Sequence, residues 1–119
     1  MNSFVNKFIA KLDDQAMRGV APKIKVDGLG GFDVFMKKYR ILMMNCFLNG
    51  LLNQKKIPED PFSVALIVTS DKEIIIQIQP DTILDGLNEA RLEFEKHEYF
   101  EKAAICRDYL NLLTKINQK

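Results

Sequence analysis

The chain holds one histidine, no tryptophan and only two cysteines among its 119 residues. His97, Cys46 and Cys106 lie far apart and cannot supply a four-ligand zinc set, so no metal is expected. Both cysteines fall within apolar helical patterns, where a buried free thiol rather than a disulfide is the usual state. Long apolar runs are also missing. The longest uncharged stretch, Ile41 to Gln54, contains Asn45, Asn49 and Asn53 and is too short to cross a bilayer. The opening MNSFVNKFIAKLDDQ has Lys7 and Lys11 among its apolar residues and lacks the h-region of a signal peptide, so a soluble cytoplasmic protein is expected. Asp27 to Gly31 (DGLGG) has neither GxGxxG spacing nor a Gly-Lys-Ser/Thr ending; it reads as a flexible turn, not a phosphate cradle.

Catalytic groups are as scarce. His97 stands between Lys96 and Glu98 and reads as a surface histidine. Glu89, Glu93, Glu95, Glu98 and Glu101 read as a solvated acidic helix surface, with nothing to mark an acid and base pair among them. The expectation is a protein that is not an enzyme and carries no cofactor.

What is present is ordinary globular material, 47% hydrophobic and 28% charged, in a length that builds one core with a helical appendage. The net charge of +1 hides an asymmetry: residues 1–57 carry +6 and residues 58–119 carry −5. The two halves are expected to face each other across the fold or across a dimer.

From Ser3 to Met17, Phe4, Val5, Phe8, Ile9, Leu12, Ala16 and Met17 repeat at three and four, which predicts an amphipathic helix stopped by Gly19 and Pro22. Lys23 to Val26 alternates lysine with β-branched residues and reads as extended. Phe32 to Asn53 is apolar over most of its circumference and reads as the central core helix. Pro58 and Pro61 bracket an acidic turn. Beyond it, Ser63 to Thr69 and Glu73 to Gln79 form a β-hairpin about Ser70-Asp71-Lys72, with Ile74, Ile76 and Ile78 on one face. Such a hairpin is barely stable alone, so it must lie on the first two helices or pair across a dimer. After Pro80, Thr82 and Asp85 offer a capping box for the next helix.

The last third, Leu87 to Leu113, has apolar residues at helical spacing on both sides of the short break His97-Glu98-Tyr99, which predicts two helices folded back on each other. Phe100-Glu101, Ala103-Ala104 and Arg107-Asp108 form the pattern F-E-x-A-A-x-x-R-D. With Leu87 opening the first helix, residues 82–116 resemble the UvrB/UvrC (UVR) motif family, a helical-hairpin interaction module. Arg91 and Phe94 depart from that family's usual methionine and alanine. The resemblance implies protein association, as between UvrB and UvrC in excision repair and in McsA-type kinase activators and Clp-type ATPases. McsA-like cysteine pairs are absent. It suggests Phe100, Ala103, Ala104, Arg107, Asp108, Leu110 and Leu113 as partner-binding residues.

Within the hairpin, Ala103 and Ala104 should permit close approach, while Leu87, Phe94, Phe100, Leu110 and Leu113 supply buried area, each worth roughly 1.5 to 3 kcal/mol. Ile83, Leu84, Leu92, Tyr109, Leu112 and Ile116 fall partly off the shared face and ask for another surface. Arg107 has no acid three or four residues away on its own helix, so its expected partner is Glu89 or Glu93 across the hairpin, or another molecule.

These readings combine into an α+β fold: two N-terminal helices, an antiparallel β-hairpin and a C-terminal antiparallel helical hairpin. Residues 1–80 form the core and 81–119 the hairpin, packed on that core or at a dimer interface. The expected function is a small adaptor or regulator binding another protein, or a second copy of itself, with DNA repair or a phage accessory role as settings in view. The alternative is accessory nucleic-acid binding through Lys37, Lys38, Arg40, Lys55 and Lys56. No membrane partner is expected.

Overall fold

The densest apolar stretch becomes the centre of the molecule. The computed structural model describes residues 3–19, 21–25, 37, 39–70 and 72–117, leaving aside the side chains of 3–5 and 117. Among the described residues, four helices and a three-stranded mixed sheet make an α+β fold. Helix α1 spans Ser3–Met17, strand β1 Lys23–Lys25 and helix α2 Arg40–Leu52; strands β2 and β3 span Phe62–Val68 and Glu73–Ile78. A short 3-10 turn, Pro80–Thr82, leads into α3 (Ile83–Lys96) and α4 (Phe100–Asn117).

Helix α2 buries Ile41, Leu42, Met43, Asn45, Cys46, Phe47, Leu48 and Leu51 because it is covered from three directions, by α1, by β2 and by α3. It is shorter than expected, beginning at Arg40; of the stretch before it, residues 32–36 and Lys38 lie outside the described residues, as does the glycine-rich turn. Glycine sets the contact on two of those sides. A Cβ on Gly50 would stand 2.4 Å from Val64 Cγ1, so only glycine lets α2 lie this close to β2. A Cβ on Gly86 would meet Phe47 Cζ at 2.9 Å, so the residue that weakens the first turn of α3 is also what seats α3 on α2.

Helix α1 has the predicted bounds and presents Ile9 and Leu12 to the core, although Met17 at its end is exposed. Gly19, at φ +73°, donates its N–H to Ala16 O at 2.9 Å and ends the helix in the left-handed conformation that glycine adopts without steric cost.

The predicted β-hairpin forms and gains a third strand. The extended stretch at Lys23 pairs in parallel with β2, begun by Leu66 N–H donating to Pro22 O at 2.9 Å, and the order is β1-β2-β3. Ile24, Ala65 and Ile67 are buried on the face towards the helices, with Ile74, Ile76 and Ile78 half-buried. The register slips between Ser63 and Ala65, which lets the adjacent Val64 and Ala65 both be buried.

The C-terminal helices pack against each other as predicted. Their connection is a Schellman motif: Tyr99 N–H donates to Phe94 O at 2.8 Å and Glu98 N–H to Glu95 O at 3.1 Å, with Glu98 at φ +64°. The accompanying hydrophobic contact is an edge-on packing of Tyr99 against Phe94, with ring centres 6.4 Å apart. The turn is therefore held by the residues on either side of it, despite a glutamate where glycine is usual.

Three local expectations are corrected. Thr82 does not cap α3: its Oγ1 donates to Gln79 O at 2.7 Å, because the 3-10 turn holds Thr82 in a helical rather than extended conformation. Phe100 supplies little buried area, being 63% exposed, and Ile83 instead is buried against the core. Glu89 and Glu93 do not meet Arg107; both bind Arg40 at the start of α2, at 3.3 and 3.2 Å.

Arg40 is thus where the basic half of the chain meets the acidic half. A second polar junction runs the other way. Asp13 Oδ1 accepts from Asn45 Nδ2 at 3.0 Å and Asn49 Nδ2 at 2.9 Å, while Lys102 Nζ donates to Oδ2 at 2.8 Å, joining α1, α2 and α4. Burial opposes ionisation of Asp13, yet Asn49, Lys102 and Asn45 together outweigh it and hold the carboxyl below its usual range. The Tyr99 hydroxyl also donates to Asn6 Oδ1, tying the α3–α4 turn to α1.

Candidate functional site

Helical geometry dictates which side chains of the hairpin are left outside. On α3, Ile83, Leu87, Ala90 and Phe94 follow the three-and-four spacing of one stripe and are all buried. The neighbouring stripe, Leu84, Asn88, Arg91 and Glu95, has the same spacing but is turned away from α2. With the facing residues of α4 it walls an open groove between the two helices.

Five of the seven suggested partner-binding residues line this groove: Phe100, Ala103, Ala104, Arg107 and Leu110. Ala103 is 5% exposed and forms the floor, because a larger side chain would hold α4 away from α3. Phe100 stands at one end, and Leu84 (42% exposed) and half-buried Leu110 add apolar surface. The other two residues lie elsewhere. Leu113 is buried in the core, and Asp108 is exposed outside the groove lining.

The groove is charged along its sides. Arg107 lies 3.5 Å from Asp108, its neighbour in sequence, and both are largely exposed, so this contact leaves the guanidinium open to a further partner. Arg91 pairs with Glu95 at 3.0 Å, and Asp85 completes the α3 side. Asp85, Asn88, Arg91 and Glu95 were not expected from sequence, since a search for apolar spacing passes over a polar stripe. The signal for Asn88, Arg91 and Glu95 is the step of four, three and four from Leu84.

Beside the groove, Ile105, Leu112 and Ile116 form a second partly open row on α4, between 40% and 49% exposed.

No protein-family model, curated protein or solved structure matches the chain. Its chemistry is therefore read from these side chains alone. Both thiols are held protonated by burial, Cys46 at about 12 and Cys106 at about 11, far above the range of a reactive thiolate. His97 Nε2 lies 3.2 Å from Glu93 Oε1, whose other oxygen holds Arg40, so Glu93 bridges the turn to the start of α2. Among the described residues no group of three His, Cys, Asp or Glu could hold a metal, and no helix is long and apolar enough to cross a membrane.

The basic residues suggested for nucleic acid do not converge. Lys37 precedes α2, Arg40 opens it, and Lys55 and Lys56 lie beyond its end, roughly 20 Å from Arg40 by helix rise, while Lys38 lies outside the described residues. Arg40 is further occupied by two glutamates.

Proposed function

We propose that this protein is a small non-enzymatic adaptor that binds another protein by laying its C-terminal helical hairpin, UVR-like in sequence, against a partner helix. The observation that carries this reading is the apolar ends and floor of the α3–α4 groove. A 63% exposed phenylalanine stands beside open leucine and alanine surface on a hairpin whose opposite side is sealed. Contiguous apolar surface rimmed by charge is the usual mark of a protein interaction site. An amphipathic helix would place apolar residues against Ala103, Ala104 and Leu110, and a carboxylate within reach of Arg107.

The test is affinity capture with the full chain, scored by quantitative mass spectrometry for proteins enriched over Phe100→Glu and Leu84→Glu. Both positions are open to water, so neither substitution should disturb folding. A protein held by the wild type and by a Lys96→Ala control, but lost from both glutamate variants, supports the reading. Equal recovery on all four rejects it.

A further inference from the structure

The two edges of the sheet are built differently. Strand β1 is three residues long and exposes Lys23 and Lys25 around buried Ile24, the combination of shortness and charge by which edge strands resist pairing. Strand β3 is twice as long and carries a single charge, at its first residue. It is six residues, Glu73-Ile-Ile-Ile-Gln-Ile78, without proline, and the one register slip in its pairing with β2 comes from the β2 side. Ile75 on its open face is 62% exposed.

The backbone of β3 is set to pair outward. Thr69 N–H donates to Lys72 O at 2.9 Å, which makes Lys72 a residue whose main chain points to β2. Antiparallel pairing alternates, so Ile74 and Ile76 also point to β2, and Glu73, Ile75 and Gln77 turn their N–H and C=O groups to the outside.

We propose that β3 is a homodimerisation edge, pairing antiparallel with β3 of a second copy about Ile75 to make one continuous six-stranded sheet. The segment is complementary to itself in that register. Ile75 meets Ile75 of the second copy, Ile74 meets Ile76, and Glu73 meets Gln77, whose side-chain amide donates to the carboxylate. The outward backbone groups of Glu73, Ile75 and Gln77 then all find partners, about six hydrogen bonds in total. Since Leu66 lies opposite Ile75 within one copy, the open face acquires a continuous apolar row, Leu66 and Ile75 of one copy followed by Ile75 and Leu66 of the other. Moving the register by one residue would set the core face of one sheet against the open face of the other, so the apolar pattern specifies this alignment. The guarded β1 edges close the assembly at two copies.

The experiment is light-scattering mass of the full chain at micromolar concentration, for the wild type, Ile75→Lys and Ile75→Pro, with far-ultraviolet circular dichroism as the check of folding. Ile75→Pro removes an N–H that has no pairing among the described residues of one copy, so the monomer keeps its fold. The expected masses are twice 13.7 kDa for the wild type and 13.7 kDa for both variants. Hydrogen exchange of the wild type should protect the Ile75 and Gln77 amides, and Ile75→Lys should release Gln77. A monomeric wild type overturns the proposal. So does a dimer that survives both substitutions at Ile75, or one abolished by Phe100→Glu, which would place the contact on the helical hairpin.

Discussion

The side of the helical hairpin that faces the core and the side that faces water both carry large apolar residues. Leu87, Ala90, Phe94 and Cys106 are wholly enclosed, whereas Leu84, Leu92, Phe100 and Leu112 on the same two helices remain between 42% and 63% exposed. Composition does not separate the two groups. What separates them is whether another element lies opposite, and on α3 Gly86 admits α2 by letting Phe47 come within contact of the backbone. Apolar surface on the inner side therefore stabilises the fold, while on the outer side it stays open to water.

The largest effect expected from this contrast is at the paired phenylalanines. Phe94→Ala should destabilise the protein by about 3–5 kcal/mol through the cavity it leaves, and Phe100→Ala by about 0.5 kcal/mol or less. Chemical denaturation of both variants checks this, and equal losses would show that the outer side is covered in solution.

Next is the seat of α3 on α2. Gly86→Ala should cost about 1–3 kcal/mol because Phe47 must give way, although the same change at an uncrowded helix position would be favourable. A higher melting temperature for this variant would mean that Phe47 does not pack on α3 as described.

A third comparison concerns acid. Asp13 has a folded-state value below its unfolded one, so its contribution to stability is fully present above the unfolded value, near 4, and is lost as pH falls through the lower folded value. Unfolding free energy measured from neutral pH down to about pH 2 should fall more steeply for the wild type than for Asp13→Asn. Parallel curves would show that the Asn45, Asn49 and Lys102 contacts do not favour the carboxylate.

The smallest effect is at the turn. Glu98→Gly relieves a left-handed backbone that costs a side-chain-bearing residue about 1–2 kcal/mol, partly offset by the entropy of glycine in the unfolded chain. The net gain should be about 1 kcal/mol or less, read as a slightly higher melting temperature. A loss at this position would show that Glu98 makes a contact worth more than its strain.

Local pattern made much of this architecture legible. The α1 stripe ends where glycine permits a left-handed residue, β-branched alternation marks β2 and β3, and a three-residue break forces α3 and α4 together. The groove was legible on its α4 side through Phe100, Ala103, Ala104, Arg107 and Leu110, but not on its α3 side, where the lining stripe is mostly polar. Arg107 does not meet Glu89 or Glu93, which the fold gives to Arg40, because helix spacing constrains only neighbours on one helix and says nothing of α2.

The sequence alone determined the periodicities, the chain reversals and the scarcity of cysteine and histidine. The first two depend on residues within a few positions of one another, where backbone geometry acts directly. Only the tertiary structure decided that Lys102 meets Asp13, that β1 joins β2 in parallel, that Gly50 and Gly86 mark the close contacts of α2, and which side of the hairpin stays open. Each of these depends on chain segments far apart in sequence being brought together, and helical or strand spacing carries no information about what lies across the gap.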